Sequence, residues 1–246
     1  MRRRPALALA AGLLAAAALL PADSPRLRAA REQMVATTIE RPADGRTPVR
    51  DPRVLAAMRG VPRHEFVPPA LLDSAYNDHP LPIGHGQTIS QPYIVATMTE
   101  LLDLKPADRV LEVGTGSGYQ AAVLSPLVAE VYTMEIIRPL GESARERLER
   151  LGYKNVTVRV ADGYFGWPEK APFDAIVVTA WSTHVPPALL EQLKPGGRMV
   201  IPVGAFAFQQ NLVVVRKGKT PRDLRMESVM PVAFVPLLGA HNDPKK

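Results

Sequence analysis

The sequence contains no cysteine. Disulfides, thiolate metal centres and cysteine nucleophiles are therefore excluded. The redox state of the compartment stays open, because a chain without thiols tolerates either. Histidine is scarce. The five present (His64, His79, His85, His184 and His241) form no HExxH pattern or other close ligand spacing, so no resident metal is expected. Aromatic residues make up only 6% of the chain, and no basic run is interleaved with them. That removes the stacking-plus-cation pattern of a nucleic-acid groove, and no nucleic-acid partner is expected. Acidic residues are missing before Asp23. Setting aside Arg2, Arg3 and Arg4 leaves 27 of the 30 basic residues against 24 acidic ones, so the net charge of +6 halves to +3. The remaining excess is scattered and reads as a solvated surface. Internal repeats are also lacking.

Among what is present, the first segment stands apart. Three arginines precede fifteen apolar or glycine residues, Ala6 to Leu20, and then Pro21-Ala22-Asp23. The run is shorter than the roughly 20 residues of a membrane span and resembles a secretory signal peptide. Leu20 is not the small residue such a cleavage site prefers, so a short anchor or a start at Met34 is an alternative. Residues 23–246 are expected to form a single domain, with no stable membrane span. Within it, 23–90 would supply helices and a substrate loop, and 91–246 the core and C-terminal strands. With 246 residues, 46% of them hydrophobic, the chain is long enough for one sizeable core. No large apolar patch is readable in the pattern, and a monomer is expected.

Helical segments are expected over 26–39, over 54–58 behind the Asp51-Pro52 start, around 70–76, and from Pro92 onward. Residues 77–90 read as loop. From Arg109 the rhythm changes: strand 110–113, glycine turn 114–118, helix 119–127, strand 130–135, helix 138–151, strand 156–160, strand 174–179, helix 186–193, strand 198–203. Further strands are expected over 212–216 and 226–235. Alternating strands and helices predict an α/β fold, with a doubly wound, Rossmann-like, mostly parallel sheet covered on both faces. Its ligand would sit at the carboxyl ends of the strands.

The chemistry concentrates there. Gly114-Thr115-Gly116-Ser117-Gly118 follows the first long strand and opens a helix, so its backbone can approach a ligand and present free N–H groups. Glu135 ends the next strand, where a carboxylate can accept bonds from two ribose hydroxyls. Dinucleotide enzymes do this as well, but they require a small residue where Tyr119 stands. A nicotinamide-dependent oxidoreductase is thus the alternative of another class, and a non-catalytic binding module is a third. Asp162-Gly163, after the third strand, can meet an adenine amino group. Glu112 lies inside a strand, where an unpaired carboxylate is costly; it would brace the loop or meet the cofactor's amino-acid end.

Upstream stands Leu81-Pro82-Ile83-Gly84-His85-Gly86-Gln87-Thr88-Ile89-Ser90-Gln91-Pro92. With 110–119, 159–167, 173–180 and 234–237, this stretch closely resembles the protein-L-isoaspartate O-methyltransferases, from about Pro52 to Leu238. The resemblance implies a class I methyltransferase fold and S-adenosyl-L-methionine as cofactor, with isoaspartyl proteins and peptides as partners. It makes Ser90 the active-site residue and places Thr88, Ile89 and Gln91 against the substrate. Val235, Pro236 and Leu237 would shape the peptide groove. Glu112, Gly114, Thr115, Gly116, Ser117, Gly118, Glu135, Asp162 and Gly163 would hold the cofactor. A methyltransferase for another carboxylate or small molecule is the alternative within the class.

Three further expectations attach to these residues. Ser90 also stands where it could cap the helix opened by Pro92, and His85 could donate to substrate. Trp181, in place of the smaller residues usual there, could narrow substrate choice; the segment 205–210 is unusual too. The family is chiefly cytoplasmic, which conflicts with the signal-like start and leaves export as the close alternative.

Overall fold

The computed structural model describes residues 23–206, 209–220 and 223–239. The signal-like segment 1–22 lies outside them. The chain opens with α1, Pro25–Met34, whose Ser24 hydroxyl accepts from the Leu27 N–H, and one wider π turn continues it to Ile39. Then come α2, Pro52–Gly60, and single 3-10 turns at Arg63–Phe66 and Pro69–Ser74. The Asp51 side chain caps α2 through the Arg53 N–H, next to the first-turn proline.

The expected loop over 77–90 instead contains a hairpin, β1 (Leu81–Gly84) paired with β2 (Gln87–Ile89). Its tip is His85-Gly86, with φ +53° and +70°. Two left-handed residues make the turn whose twist matches paired strands. The strands have four and three residues, and Pro82 interrupts the first. That is too short for a period of two to show in sequence. Next is α3, Pro92–Leu101.

The core follows as β3 (Arg109–Val113), α4 (Tyr119–Leu124), β4 (Glu130–Glu135), α5 (Arg138–Arg150) and β5 (Val156–Val160). It continues as β6 (Phe173–Val178), α6 (Pro187–Gln192), β7 (Leu193–Gly204), β8 (Gln210–Lys217) and β9 (Leu224–Val232). Pro195-Gly196-Gly197, in the gap between the expected helix 186–193 and strand 198–203, does not break the chain's pairing. β7 begins at Leu193 and carries these residues within it, with a register shift against β6.

The sheet order is β5-β4-β3-β6-β7-β8-β9, parallel through β7 and antiparallel beyond it. Alternate residues serve two cores. Val110, Val131, Val177, Val200 and Val214 face the N-terminal helices with α3 and α4. Leu111, Met134, Ile176, Met199 and Val215 face Leu189 of α6 and Trp167. Near-continuous apolar strands reflect a sheet covered on both sides. The chain runs outward from β3 through β4 to β5, then returns past β3 to β6. That reversal opens a crevice at the carboxyl ends of β3, β4 and β6, where ligands of such sheets bind.

Candidate active site

A cavity partly open to solvent fills that crevice. The glycine loop forms its floor. The N–H groups of Gly114 and Thr115 both donate to the Met134 carbonyl, which ties the loop to the end of β4. Gly114 has φ +100°, and a methyl group there would collide with Thr179 Oγ1. Thr179 itself donates to the Gly114 carbonyl at 2.6 Å, so β6 holds the loop from the other side. Gly118, at φ +91°, directly precedes α4, and a methyl group there would press on Leu148. Tyr119 is buried edge-on against Phe66, 5.6 Å between ring centres, under the Arg63 guanidinium.

Two carboxylates enter the cavity from the strands. Glu135 is buried; its Oε2 accepts from the Gly116 N–H at 2.8 Å and its Oε1 from the Ile137 N–H at 2.9 Å. It therefore clamps the loop as well as facing the cavity, and each oxygen keeps a lone pair for a hydroxyl donor. Glu112 is fully buried on β3, opposite Thr133 of β4, and neither oxygen makes a well-formed hydrogen bond. Burial pushes its carboxyl up to about 8, against the pull of the Thr133 hydroxyl, and the Glu135 carboxylate adds to the rise. A buried acid without a cation beside it stays neutral near pH 7. It is suited to receive a cationic group, and the empty lone pairs sit where one would arrive.

A second, open groove adjoins the cavity, lined by Arg46, Tyr93, Ile94 and residues 230–235. Thr88, Ser90, Thr179 and Val235 line both spaces. The hairpin is what places them: β2 carries Thr88 to the rim, and Ser90 follows it into the wall. Ser90 does not cap α3. Gln91 takes that position without a capping bond of its own, and the Asp78 carboxylate serves the Tyr93 N–H instead. The Ser90 hydroxyl makes no hydrogen bond to any described residue and is left for a ligand.

Most of the residues singled out in the sequence converge. Thr88, Ile89, Ser90, Glu112, Gly114, Thr115, Gly116, Ser117, Glu135, Gly163, Val235, Pro236 and Leu237 all line the cavity. Gln91 lines only the groove. Gly118 and Asp162 line neither, and the Asp162 side chain accepts from the Tyr164 N–H, capping a short turn. His85 sits exposed at the hairpin tip, away from both spaces. Trp181 lines neither space. Its backbone pairs with the tail instead: its N–H donates to the Val235 carbonyl and its carbonyl accepts from Leu237. From the unusual 205–210 segment, the buried Gln210 side chain exchanges two hydrogen bonds with the Phe234 backbone, which also seats the tail. Ile136, Ile137, Thr179 and Ala180 line the cavity and were not singled out. Their signal was position alone, directly after β4 and β6, where the topology puts ligands.

The family model described as protein-L-isoaspartate(D-aspartate) O-methyltransferase matches residues 39–242. Protein-L-isoaspartate O-methyltransferase 1 of Cupriavidus necator is 62% identical over 191 residues, covering 78% of this chain and 73% of that protein. The protein of the same name from Nitrosospira multiformis is 56% identical over 223 residues, covering 91% and 93%. A solved protein-L-isoaspartate O-methyltransferase superposes with a TM-score of 0.72 at 33% identity, over 77% of this chain and 62% of that one. This chain thus spans less than two thirds of that solved chain. A beta-aspartate methyltransferase from Plasmodium falciparum, in complex with S-adenosyl-L-homocysteine, superposes with a TM-score of 0.64 at 26% identity, over 76% and 91%. By its sheet, its glycine-loop cavity and these likenesses, the chain belongs to the protein-L-isoaspartate(D-aspartate) O-methyltransferase family.

Proposed function

We propose that this protein transfers a methyl group from S-adenosyl-L-methionine to the free α-carboxylate of L-isoaspartyl residues in proteins and peptides. The observation that carries the reading is the position of Thr88 and Ser90 in the wall shared by the glycine-loop cavity and the open groove. A cofactor in the first space and a peptide in the second would meet there.

The residues fit the cofactor. Glu112, buried without a cation, suits the ammonium of its amino-acid end. Glu135 offers its remaining lone pairs to the ribose, Gly163 with Asp162 behind it faces the adenine end, and the loop at Gly114–Ser117 admits close backbone approach. When bound, S-adenosyl-L-methionine supplies an electrophilic methyl on a sulfonium. The chain's own task is alignment. The substrate carboxylate is already ionised at neutral pH, so no general base is required. Ser90 donates its hydroxyl proton in a hydrogen bond that orients this carboxylate, and Thr88 borders the same passage. The tail at Val235–Leu238 lines the cavity and borders the same passage. Positioning of this kind contributes about 7–11 kcal/mol in favourable cases. The substrate's own backbone amide nitrogen then attacks the ester carbonyl and displaces methanol, which closes a succinimide.

The test is transfer of labelled methyl to one peptide made in isoaspartyl and aspartyl forms. Labelling of only the isoaspartyl form is expected. Absence of labelling with intact S-adenosyl-L-homocysteine binding would redirect the assignment to another carboxylate.

No helix among the described residues is long and apolar enough to cross a membrane. The reading extends to a monomer that binds no nucleic acid and works in the cytoplasm, where S-adenosyl-L-methionine is made. N-terminal sequencing from separated cell fractions tests the compartment, since a chain beginning at Asp23 in the envelope fraction would contradict it.

A further inference from the structure

The first turn of a helix leaves N–H groups that something must satisfy. In α3 that acceptor comes from outside. Asp78 Oδ1 accepts from the Tyr93 N–H at 3.0 Å, and Asp78 Oδ2 accepts from Gln91 Nε2 at 2.9 Å. The Asp78 backbone carbonyl accepts from the same Gln91 amide at 3.0 Å. One residue therefore fixes both 91 and 93, directly after Ser90. The anchor is itself held. Arg46 Nη1 lies 2.7 Å from Asp78 Oδ2, and the Arg46 guanidinium stacks 4.2 Å above the Tyr93 ring. The Tyr93 hydroxyl donates to the Thr47 carbonyl, so the segment before α2 grips the same turn. A second aspartate, Asp44, holds the far side of Arg46.

Ser90 contributes nothing to its own placement. Its hydroxyl has no bond to a described residue, and the cap it could have formed is supplied by Asp78. A donor that must meet a carboxylate in a defined place is thus located entirely by its neighbours. The Asp78 side chain is 12% exposed and that of Arg46 is 23% exposed, so this ion pair is only weakly screened. Among the described residues that line the open groove, Arg46 is the one that is charged.

We propose that Asp78, with Arg46, is a positioning residue that sets the Ser90 hydroxyl toward the passage between cavity and groove. The proposal rests on the methyltransferase reading of Ser90. Asp78 lines neither the cavity nor the groove; it acts through the turn at 90–93. A misplacement of about 1 Å can cost about a hundredfold in rate.

The experiment is a double-mutant cycle on the full chain, with Asp78→Ala and Ser90→Ala, each alone and combined. Asp78→Asn and Arg46→Gln extend it: the first keeps size and an acceptor while losing the ion pair, and the second spares Asp78 altogether. Each variant is read for kcat and KM on an isoaspartyl peptide and for S-adenosyl-L-homocysteine affinity. Asp78→Ala is expected to lower kcat by about tenfold or more, with the affinity for S-adenosyl-L-homocysteine within about twofold of the parent. Asp78→Asn and Arg46→Gln fall between. In the Ser90→Ala background, Asp78→Ala should change kcat by no more than about twofold, because the route through Ser90 is already gone. Equal losses in both backgrounds would overturn the proposal, and so would parallel losses of kcat and S-adenosyl-L-homocysteine affinity. If Asp78→Ala does not fold, an unchanged kcat in both Asp78→Asn and Arg46→Gln overturns it. Ser90→Ala alone reads the underlying assignment, so a harmless Ser90→Ala beside a damaging Asp78→Ala rejects that assignment and this route separately.

Discussion

Single residues at this site divide by whether they serve the fold or are held ready by it. Ser90 belongs to the second kind: it neither caps α3 nor bonds to a described residue. Ser90→Ala is therefore expected to leave stability within about 0.5 kcal/mol, as for substitutions that remove no contact. It should slow methyl transfer by about ten- to a hundredfold, the worth of one hydrogen bond to a charged group. Thermal melting beside the labelled-methyl assay checks both halves. Glu112 belongs to the second kind too, at a cost. Unfolded, it gives up its proton near pH 4.5; folded, it keeps it to about 8. Between these values the native state binds the extra proton, so its contribution to stability falls as pH rises through that window. Glu112→Gln should flatten this decline and make the cofactor-free protein more stable than the parent at about pH 8. It should also weaken S-adenosyl-L-homocysteine binding. Melting curves across the window and a calorimetric titration read the two effects.

At the scale of elements, the glycine loop and the C-terminal tail are held by β6 and the residues after it. Gly114→Ala would force a side chain into a left-handed backbone and against Thr179 Oγ1. Strain of this kind costs about 1–3 kcal/mol. The loop would have to move away from the Met134 carbonyl, so S-adenosyl-L-homocysteine affinity should fall together with stability; a titration and a urea melt report on them. The tail is clasped by the Trp181 backbone and anchored by Leu237, which is 5% exposed in the core beneath α6. Leu237→Ala should cost about 2–5 kcal/mol if the tail stays docked. If the tail instead detaches, the stability loss will be smaller. KM for the isoaspartyl peptide should rise in either case, since residues 230–235 form one wall of its groove. Steady-state kinetics on the variant test this.

On the scale of the whole molecule, the N-terminal helices and the sheet share one apolar cluster, in which Met34, Val35 and Ile39 pack with Val54, Met58 and the valines of β3 and β4. Arg31 is buried among these elements, donating to the Arg59 carbonyl, to Asp23 and to the Tyr76 hydroxyl. A chain beginning at residue 35 would lose Leu27, Arg31 and Met34 with their contacts. Burial of Leu27 and Met34 alone contributes about 3–6 kcal/mol. Such a chain should unfold at a clearly lower urea midpoint than one beginning at Asp23. Its transfer activity should drop in step, because α2 and α3 pack on the same elements.

The sequence by itself determined the alternation of strands and helices, and through it the sheet, the crevice and the family. Apolar periodicity and glycine turns are local signals, and Gly114–Gly118, Glu135 and the Thr88–Pro92 motif each carry their chemistry in adjacent residues. It also placed Glu112 inside a strand, where a lone carboxylate is an anomaly that asks for a function. Only the tertiary structure decided the rest. Strands of three and four residues owe their pairing to a two-residue turn and to the core beneath, so the hairpin that aims Thr88 and Ser90 did not show in the pattern. The cap of α3 comes from Asp78, fifteen residues before Tyr93, and a cap at that distance leaves no local spacing to read. Thr179, Ala180 and Ile136 gained their places from a chain reversal that brings three strand ends together. The role of Trp181 changed for the same reason: its backbone found the tail, a contact set by where distant segments meet.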